Sequence, residues 1–324
     1  MKRVWVRRIS VLVVVAALMA TSFYVGNRTV DPAARSDQQL KSERATYSLL
    51  APRLFVDSPN DTILSFSGLR SQLEAYTADL SARGISSGIY FEYLPTGTSI
   101  DTGDRTSFVA ASLMKTPLAL NLMKLHEQGK IDIDKKIPLK REWLNDEFGD
   151  LYQKGAGYEL TLREAVAIML EKSDNTAALM IQESLSTHPL GQNDDSLYST
   201  DVTIELDTEK RAIVTARSYT SILKCLYFSC FLNKEDSQEL LGYLTKTEFG
   251  DRLKKNLPAE VPVAHKIGTY SQKTQSDCGI VYATRRNYAL CVMLDQPDPE
   301  GSATIADISS KVYEYVTKAQ TSRN

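Results

Sequence analysis

The sequence predicts an α/β protein of the α+β kind: an antiparallel sheet covered by its own terminal helices, with a helical lobe inserted between the early and the late strands. Three observations predict it. Strand-like segments occur at both ends, "GIYFEYL" at 88–94 and "PVAHKIGTY" at 262–270. From Ser112 to about Cys230 the pattern is mainly helical. The last two strands, "CGIVYA" and "YALCVMLD", are joined only by residues 284–287, a connection short enough to make them an antiparallel hairpin.

The elements follow in order. Lys2, Arg3, Arg7 and Arg8 precede an uncharged run from Ile9 to Asn27 that contains "VLVVVAALMA". Such a run is close to the roughly 20 residues that span a bilayer, and the cations should stay in the cytoplasm. No small-x-small site with good flanks and no lipidation Cys is present, so residues 1–27 read as a signal anchor, with a cleaved signal as the alternative. The polar stretch 28–60, including "NRTVDPAARSDQQLKSERA", reads as an extracytoplasmic tether to a domain over 61–324. Phe66, Leu69, Leu73, Tyr76 and Leu80 recur at helical spacing and stop at Arg83-Gly84. After the first strand, Pro95-Thr96-Gly97 turns the chain into a second near Ser99–Ile100. "PLALNLMKLHEQG" reads as a helix closed by Gly129, and Thr161 with Glu164 forms a capping box for the next helical stretch. "DVTIEL", 201–206, has strand character in a loop-rich zone. Ile305, Ile308, Val312 and Val316 mark a closing helix.

Composition narrows the function. The chain has 324 residues, 43% apolar and 24% charged, with a formal net charge of −2. That suits a globular body with a sizeable core and offers no basic face for a nucleic acid. Cys225, Cys230, Cys278 and Cys291 show no CxxC, and only His126, His188 and His265 are available, so neither a metal nor a cofactor is expected. The cysteines are either paired, as an exported chain allows, or buried thiols.

The chemistry sits in three short stretches. "AASLMKTP" puts Ser112 three residues before Lys115, on one helix face, at a helix start whose dipole favours a developing anion. A Ser hydroxyl needs a base, and a Lys amine serves if burial lowers its pKa. "EKSDNTAA" sets Ser173, Asp174 and Asn175 at a helix junction, and "AHKIGTY" sets Lys266 and Gly268 on a late strand, where a glycine permits close approach of another backbone. Alone, each is commonplace: a helix with a Ser, a turn, a solvated Lys. In this order, SxxK, SDN and Lys-x-Gly resemble the class A β-lactamases and penicillin-binding proteins, over roughly residues 66–320.

The resemblance implies a β-lactamase/transpeptidase-like fold and a serine hydrolase or acyltransferase acting on a β-lactam or a D-Ala-type cell-wall peptide. It implies Ser112 as nucleophile, Lys115 as its base or relay, Ser173 as proton donor towards the leaving nitrogen, Asn175 on the substrate amide and Lys266 as local positive charge. Gly268 and Thr269 would line the substrate, and the backbone N–H groups of Ser112 and Thr269 would form the oxyanion hole. The sequence departs from the family in three places. Ile267 replaces the hydroxyl residue of KTG, no ExxLN supplies the deacylating glutamate (Glu205 and Glu209 lie in the region but fit poorly), and Cys278 stands where many members carry a carboxylate-binding Arg. Deacylation is therefore expected to be atypical, and a non-catalytic peptidoglycan- or partner-binding member is the competing reading. Gly84-Ile85-Ser86-Ser87-Gly88 spells GxSxG, but a helix precedes it and a strand follows, the reverse of a nucleophile elbow. Oligomeric state has no signature here.

Overall fold

Leu69, Leu73, Thr77 and Leu80 form the buried stripe of α1 (Ser67–Ala82), which ends where Gly84 takes a φ of +74°. The computed structural model describes residues 45–49, 65–103, 107–187 and 204–318; the expected anchor over 1–27 lies outside them. Among the described residues no helix is long and apolar enough to cross a membrane. Next come β1 (Ser87–Tyr93), buried along its whole length, and β2 (Thr98–Gly103). A short β3 (Phe108–Val109) runs into a 3₁₀ turn, Ala111–Met114, and then α2 (Lys115–Glu127). The lobe continues through β4 (Lys136–Pro138), β5 (Glu159–Thr161), α3 (Leu162–Glu171) and α4 (Asn175–Thr187). Thr161 and Glu164 form the expected capping box on α3. A hairpin of β6 (Glu205–Leu206) and β7 (Ala212–Val214) leads to α5 (Ala216–Tyr227) and α6 (Lys234–Thr245). The chain closes with β8 (Val263–Tyr270), β9 (Thr274–Val281), β10 (Tyr288–Asp295) and α7 (Glu300–Lys318).

The five long strands form one antiparallel sheet in the order β2-β1-β10-β9-β8. Alternation along each strand gives it two apolar faces. Ile89, Phe91, Leu290, Val292 and Val263 pack with Leu69, Leu73, Ile305, Ile308 and Val312 of α1 and α7. Tyr90, Ala264, Cys278, Ile280, Ala289 and Cys291 pack in a second cluster with the helical lobe. Both faces are covered, which is why β1 and β10 read as continuous apolar runs. β8 is an edge strand, so part of its backbone is left without a ladder partner on the side away from β9.

Three details refine the sequence reading, which left the state of the cysteines open. β9 begins at Thr274, not at Asp277-Cys278: its polar residues are buried because Gln275 meets Arg252, and Asp277 meets His265 and the Leu253 amide. Both cysteine pairs are disulfides, Cys225–Cys230 and Cys278–Cys291, the latter joining directly opposed residues of β9 and β10. In the stretch read as tether, the Leu49 N–H donates to Gln238 Oε1 (3.0 Å) and its carbonyl accepts from Tyr282 Oη (2.8 Å). Of "DVTIEL", only Ile204–Leu206 fall among the described residues, and Glu205–Leu206 form β6.

Candidate functional site

Ser112 sits on the 3₁₀ turn between β3 and α2, and the turn is sharp because Ala111 adopts a left-handed φ of +46°. Such a φ is unfavourable for a residue with a side chain and persists only where the surroundings enforce it. Here the turn is pressed against β8. A Cβ added to Gly268 would lie 2.9 Å from the Ala110 carbonyl oxygen and 3.0 Å from Leu113 Cγ, so only glycine lets the strand come this close.

Ser173 is the second strained residue, with φ +54°. It is held by Asp174, which is fully buried and satisfied on both oxygens: Oδ1 caps α4 by accepting from the Ala177 N–H (2.8 Å), and Oδ2 accepts from the Leu151 N–H (2.9 Å). Gly149 makes room for that carboxylate, since its φ is +87° and a Cβ there would fall 2.0 Å from Asp174 Oδ2. The Asn175 N–H donates to the Phe148 carbonyl (3.0 Å), and its Nδ2 donates to Asn145 Oδ1 (3.1 Å). The loop 145–151 thus fixes the Ser173–Asn175 corner from outside the lobe's helices.

These segments converge on two buried amines. Lys115 Nζ lies 3.2 Å from Ser112 Oγ, 3.2 Å from Ser173 Oγ and 2.7 Å from Asn175 Oδ1, and also donates to the Ser173 carbonyl. Lys266 Nζ reaches Ser173 Oγ at 2.9 Å and lies 5.7 Å from the centre of the Phe249 ring. Burial pushes the Lys115 amine down to about 8, with the Asp174 carboxylate opposing. Lys266 is fully buried; burial first, then the positive charges of Lys115 and Arg252, hold it well below the ordinary lysine range, against the pull of Asp277. The structure therefore brings together Ser112, Lys115, Ser173, Asn175 and Lys266, with Gly268 and Thr269 beside them on β8. Ser173 Oγ links the two amines into a continuous hydrogen-bonded path from Ser112.

Ile267 alternates to the other face of β8 from Lys266 and Gly268, pairs across the ladder with Asp277 and is buried. The neighbouring hydroxyl is Thr269. Its Oγ1 donates to Gln275 Oε1 (3.0 Å) and accepts from Arg252 Nη2 (2.8 Å). Arg252, only 3% exposed, spends its remaining donors on Gln275 Oε1, the Gly268 and Ser276 carbonyls and Ser302 Oγ. Sequence reading misses it, as it misses Asn145: both come from loops with no motif of their own. The sequence signal for Arg252 is weak, one of three cations in "EFGDRLKKN" with nothing to set it apart from Lys254 and Lys255.

Among the described residues no carboxylate hydrogen-bonds to Ser112 Oγ or Lys115 Nζ. Glu205 is exposed on β6, and Glu209 pairs with Arg211 at 2.8 Å.

Comparison with known proteins fits this geometry. A family model described as the beta-lactamase enzyme family matches residues 68–316. The beta-lactamase CARB-3 of Pseudomonas aeruginosa is 24% identical over 255 residues, covering 73% of this chain and 83% of that protein. PSE-4 of the same organism matches to the same extent. Among solved structures, PBP-A aligns with a TM-score of 0.69 and 23% identity, over 79% of this chain and 100% of that one. A point mutant of PBP-A, solved as an acyl-enzyme complex with penicillin-G, aligns with a TM-score of 0.69 at 22% identity, over 78% and 97% of the two chains. The convergence of Ser112, Lys115, Ser173 and Lys266 at one corner of such a fold carries the same conclusion as the matched family model: the chain belongs to the beta-lactamase enzyme family and is a serine hydrolase.

Proposed function

We propose that the protein forms an acyl-enzyme at Ser112 with a β-lactam or a D-Ala-type cell-wall peptide, and that the adduct is long-lived. The observation that carries this reading is the path Ser112 Oγ–Lys115 Nζ–Ser173 Oγ–Lys266 Nζ, with contacts of 3.2, 3.2 and 2.9 Å. A Lys115 pKa of about 8 leaves about a tenth of the amine neutral at pH 7 and ready to accept a proton. The Ser112 proton passes to Lys115 as its oxygen bonds to the substrate carbonyl carbon. The carbon–nitrogen bond then breaks, and the leaving nitrogen takes a proton from Ser173 Oγ, which is resupplied from the amines on either side of it. The N–H groups of Ser112 and Thr269 receive the developing oxyanion, and Asn175 holds the substrate amide. The Thr269 hydroxyl takes the place of the missing KTG hydroxyl towards a substrate carboxylate by turning its O–H from Gln275 Oε1 to the substrate, while Arg252 Nη2 still donates to its oxygen.

What supports slow deacylation is that, among the described residues, no carboxylate hydrogen-bonds to Ser112 Oγ or Lys115 Nζ. PBP-A, solved in a mutant form as a penicillin acyl-enzyme, is a relative for which such an adduct is recorded. The location proposed is the outer face of a membrane, with residues 1–27 as anchor; the two disulfides support an oxidising compartment. The test is a fluorescent penicillin followed over time. A labelled band that persists for many minutes supports the reading, and rapid loss with release of hydrolysed drug replaces it with an efficient β-lactamase. The second reading, a family member that binds peptidoglycan or a partner without turnover, draws on Ile267; it predicts no label at any pH.

A further inference from the structure

The β6–β7 hairpin joins the two segments that carry the proposed oxyanion donors. On one side β7 is zipped to β3, with Phe108 opposite Val214 and Val109 opposite Ile213. The Ala110 N–H, two residues before Ser112, donates to the Ala212 carbonyl at 2.8 Å. On the other side Arg211, the residue next to Ala212, reaches β8. Its guanidinium lies over the Tyr270 ring, 5.0 Å from the centroid, and Nη1 donates to Tyr270 Oη. Tyr270 follows Thr269 directly. Two consecutive residues, Arg211 at the end of the hairpin turn and Ala212 at the start of β7, thus grip the Ser112 turn by backbone and the Thr269 strand by side chain.

Arg211 is itself held rigidly. Asp207, across the hairpin turn, accepts from the Arg211 N–H (2.9 Å), from Arg211 Nε (2.7 Å) and from the Glu209 N–H (2.9 Å). Glu209 adds a second carboxylate 2.8 Å from Arg211 Nη1. A guanidinium used only for solubility needs none of this. The arrangement is that of a planar fork oriented from one side to present its other edge and face to an aromatic ring.

We propose that Arg211 is a positioning residue, a crossbar that sets the separation of the Ser112 and Thr269 N–H groups by tying Tyr270 to the strand leading into Ser112. The inference rests on the reading of Ser112 as the acylated residue. Oxyanion donors work only when placed to within a fraction of an ångström, and loss of one donor costs about 10²–10³ in rate. Loosening the crossbar shifts a donor without deleting it, so a smaller loss is expected.

The experiment compares wild type, Tyr270→Phe, Arg211→Ala and the double variant with a fluorescent penicillin. The first-order acylation constant and the dissociation constant of the non-covalent complex are resolved by stopped flow, and amide exchange over 204–214 is read by mass spectrometry. Tyr270→Phe keeps the ring and should lower the acylation constant about 5-fold; Arg211→Ala should lower it about 30-fold, in both cases with less than about a 2-fold change in the dissociation constant. The double variant should fall no further than Arg211→Ala, because both changes break one link. Exchange in the hairpin should rise in each. Unchanged acylation in variants whose hairpin exchange has risen overturns the crossbar, as does unchanged exchange. A loss confined to the dissociation constant also overturns it, since a wall of the substrate pocket gives that result. If the wild type takes no label, the acyl-enzyme reading fails and the crossbar with it; a labelled wild type with indifferent variants sinks the crossbar alone.

Discussion

Replacing Asn175 by Asp changes one atom type at the most informative contact in the site. Asn175 Oδ1 accepts from Lys115 Nζ at 2.7 Å, so the new carboxylate places a full negative charge beside the amine. At about 4 Å between charge centres and an effective dielectric of about 20, the attraction is of order 4 kcal/mol. One pKa unit is about 1.4 kcal/mol, so the upper bound is about three units; neighbouring opposite charges usually give about 1–3. The wild-type amine, at about 8, should therefore move to about 9–11. The acylation constant of the wild type should climb about tenfold per pH unit from about 6 to 7.5 and level off above about 9, as Lys115 loses its proton. In Asn175→Asp the same curve should still be rising at about pH 9.5, and the rate at pH 7 should be lower by about 10–10³-fold. The assay is single-turnover acylation with a chromogenic cephalosporin across that range. Asn175→Ala is the control: it loses the substrate contact and lowers the plateau without an upward move of the midpoint. An Asn175→Asp profile with its midpoint still near 8, or a wild-type profile flat between pH 6 and 8, would refute Lys115 as the base.

Gly268→Ala should cost about 10–100-fold in acylation, because the new Cβ must push β8 away from the Ala110 carbonyl and Leu113; a rate within about 2-fold of wild type would show that the strand and the Ser112 turn are not in register for catalysis. Arg252→Met should destabilise the fold by about 3–5 kcal/mol, since it takes a charged donor from the Gly268 and Ser276 carbonyls and one of the two donors from Gln275 Oε1 in the interior; a thermal melt displaced by less than about a degree would contradict that role. Asp236, raised to about 6 by burial and then by its hydrogen bond and charge repulsion with Glu127, holds its proton more tightly folded than unfolded. Its favourable contribution is complete below about pH 4 and is lost as pH rises through about 6. Asp236→Asn should therefore melt higher than wild type at pH 7.5, with the gap closing towards pH 4; a gap that stays constant with pH rules this out.

Local pattern makes much of this site legible, and strand pairing hides the rest. Ser112 and Lys115 are one helical turn apart, and Ser173, Asp174 and Asn175 are contiguous, so their spacing alone fixes which groups can face each other. The period of two along β8 likewise predicts that Lys266 and Gly268 share a face, and it also sends Ile267 to the other one. In sequence Ile267 reads as a lost substrate contact; in the structure the Thr269 hydroxyl, oriented by Arg252 and Gln275, lies close by on the same strand. Arg252 cannot be found from sequence because its importance comes from six acceptors spread over Gly268, Thr269, Gln275, Ser276, Asp298 and Ser302. The start of β9 is obscured for a related reason. "TQSD" reads as a loop until its polar groups are paired with Asp295, Arg252 and His265. Cysteine pairing needs the register that sets Cys278 against Cys291.

The central claim, that Ser112 becomes acylated with Lys115 as its base, is tested most directly by peptide mapping after exposure to a β-lactam at pH 8. The account predicts one equivalent of the intact drug mass on the peptide containing Ser112, absent from Ser112→Ala and formed far more slowly in Lys115→Met. An adduct that survives in Ser112→Ala, or that maps to another residue, would contradict it.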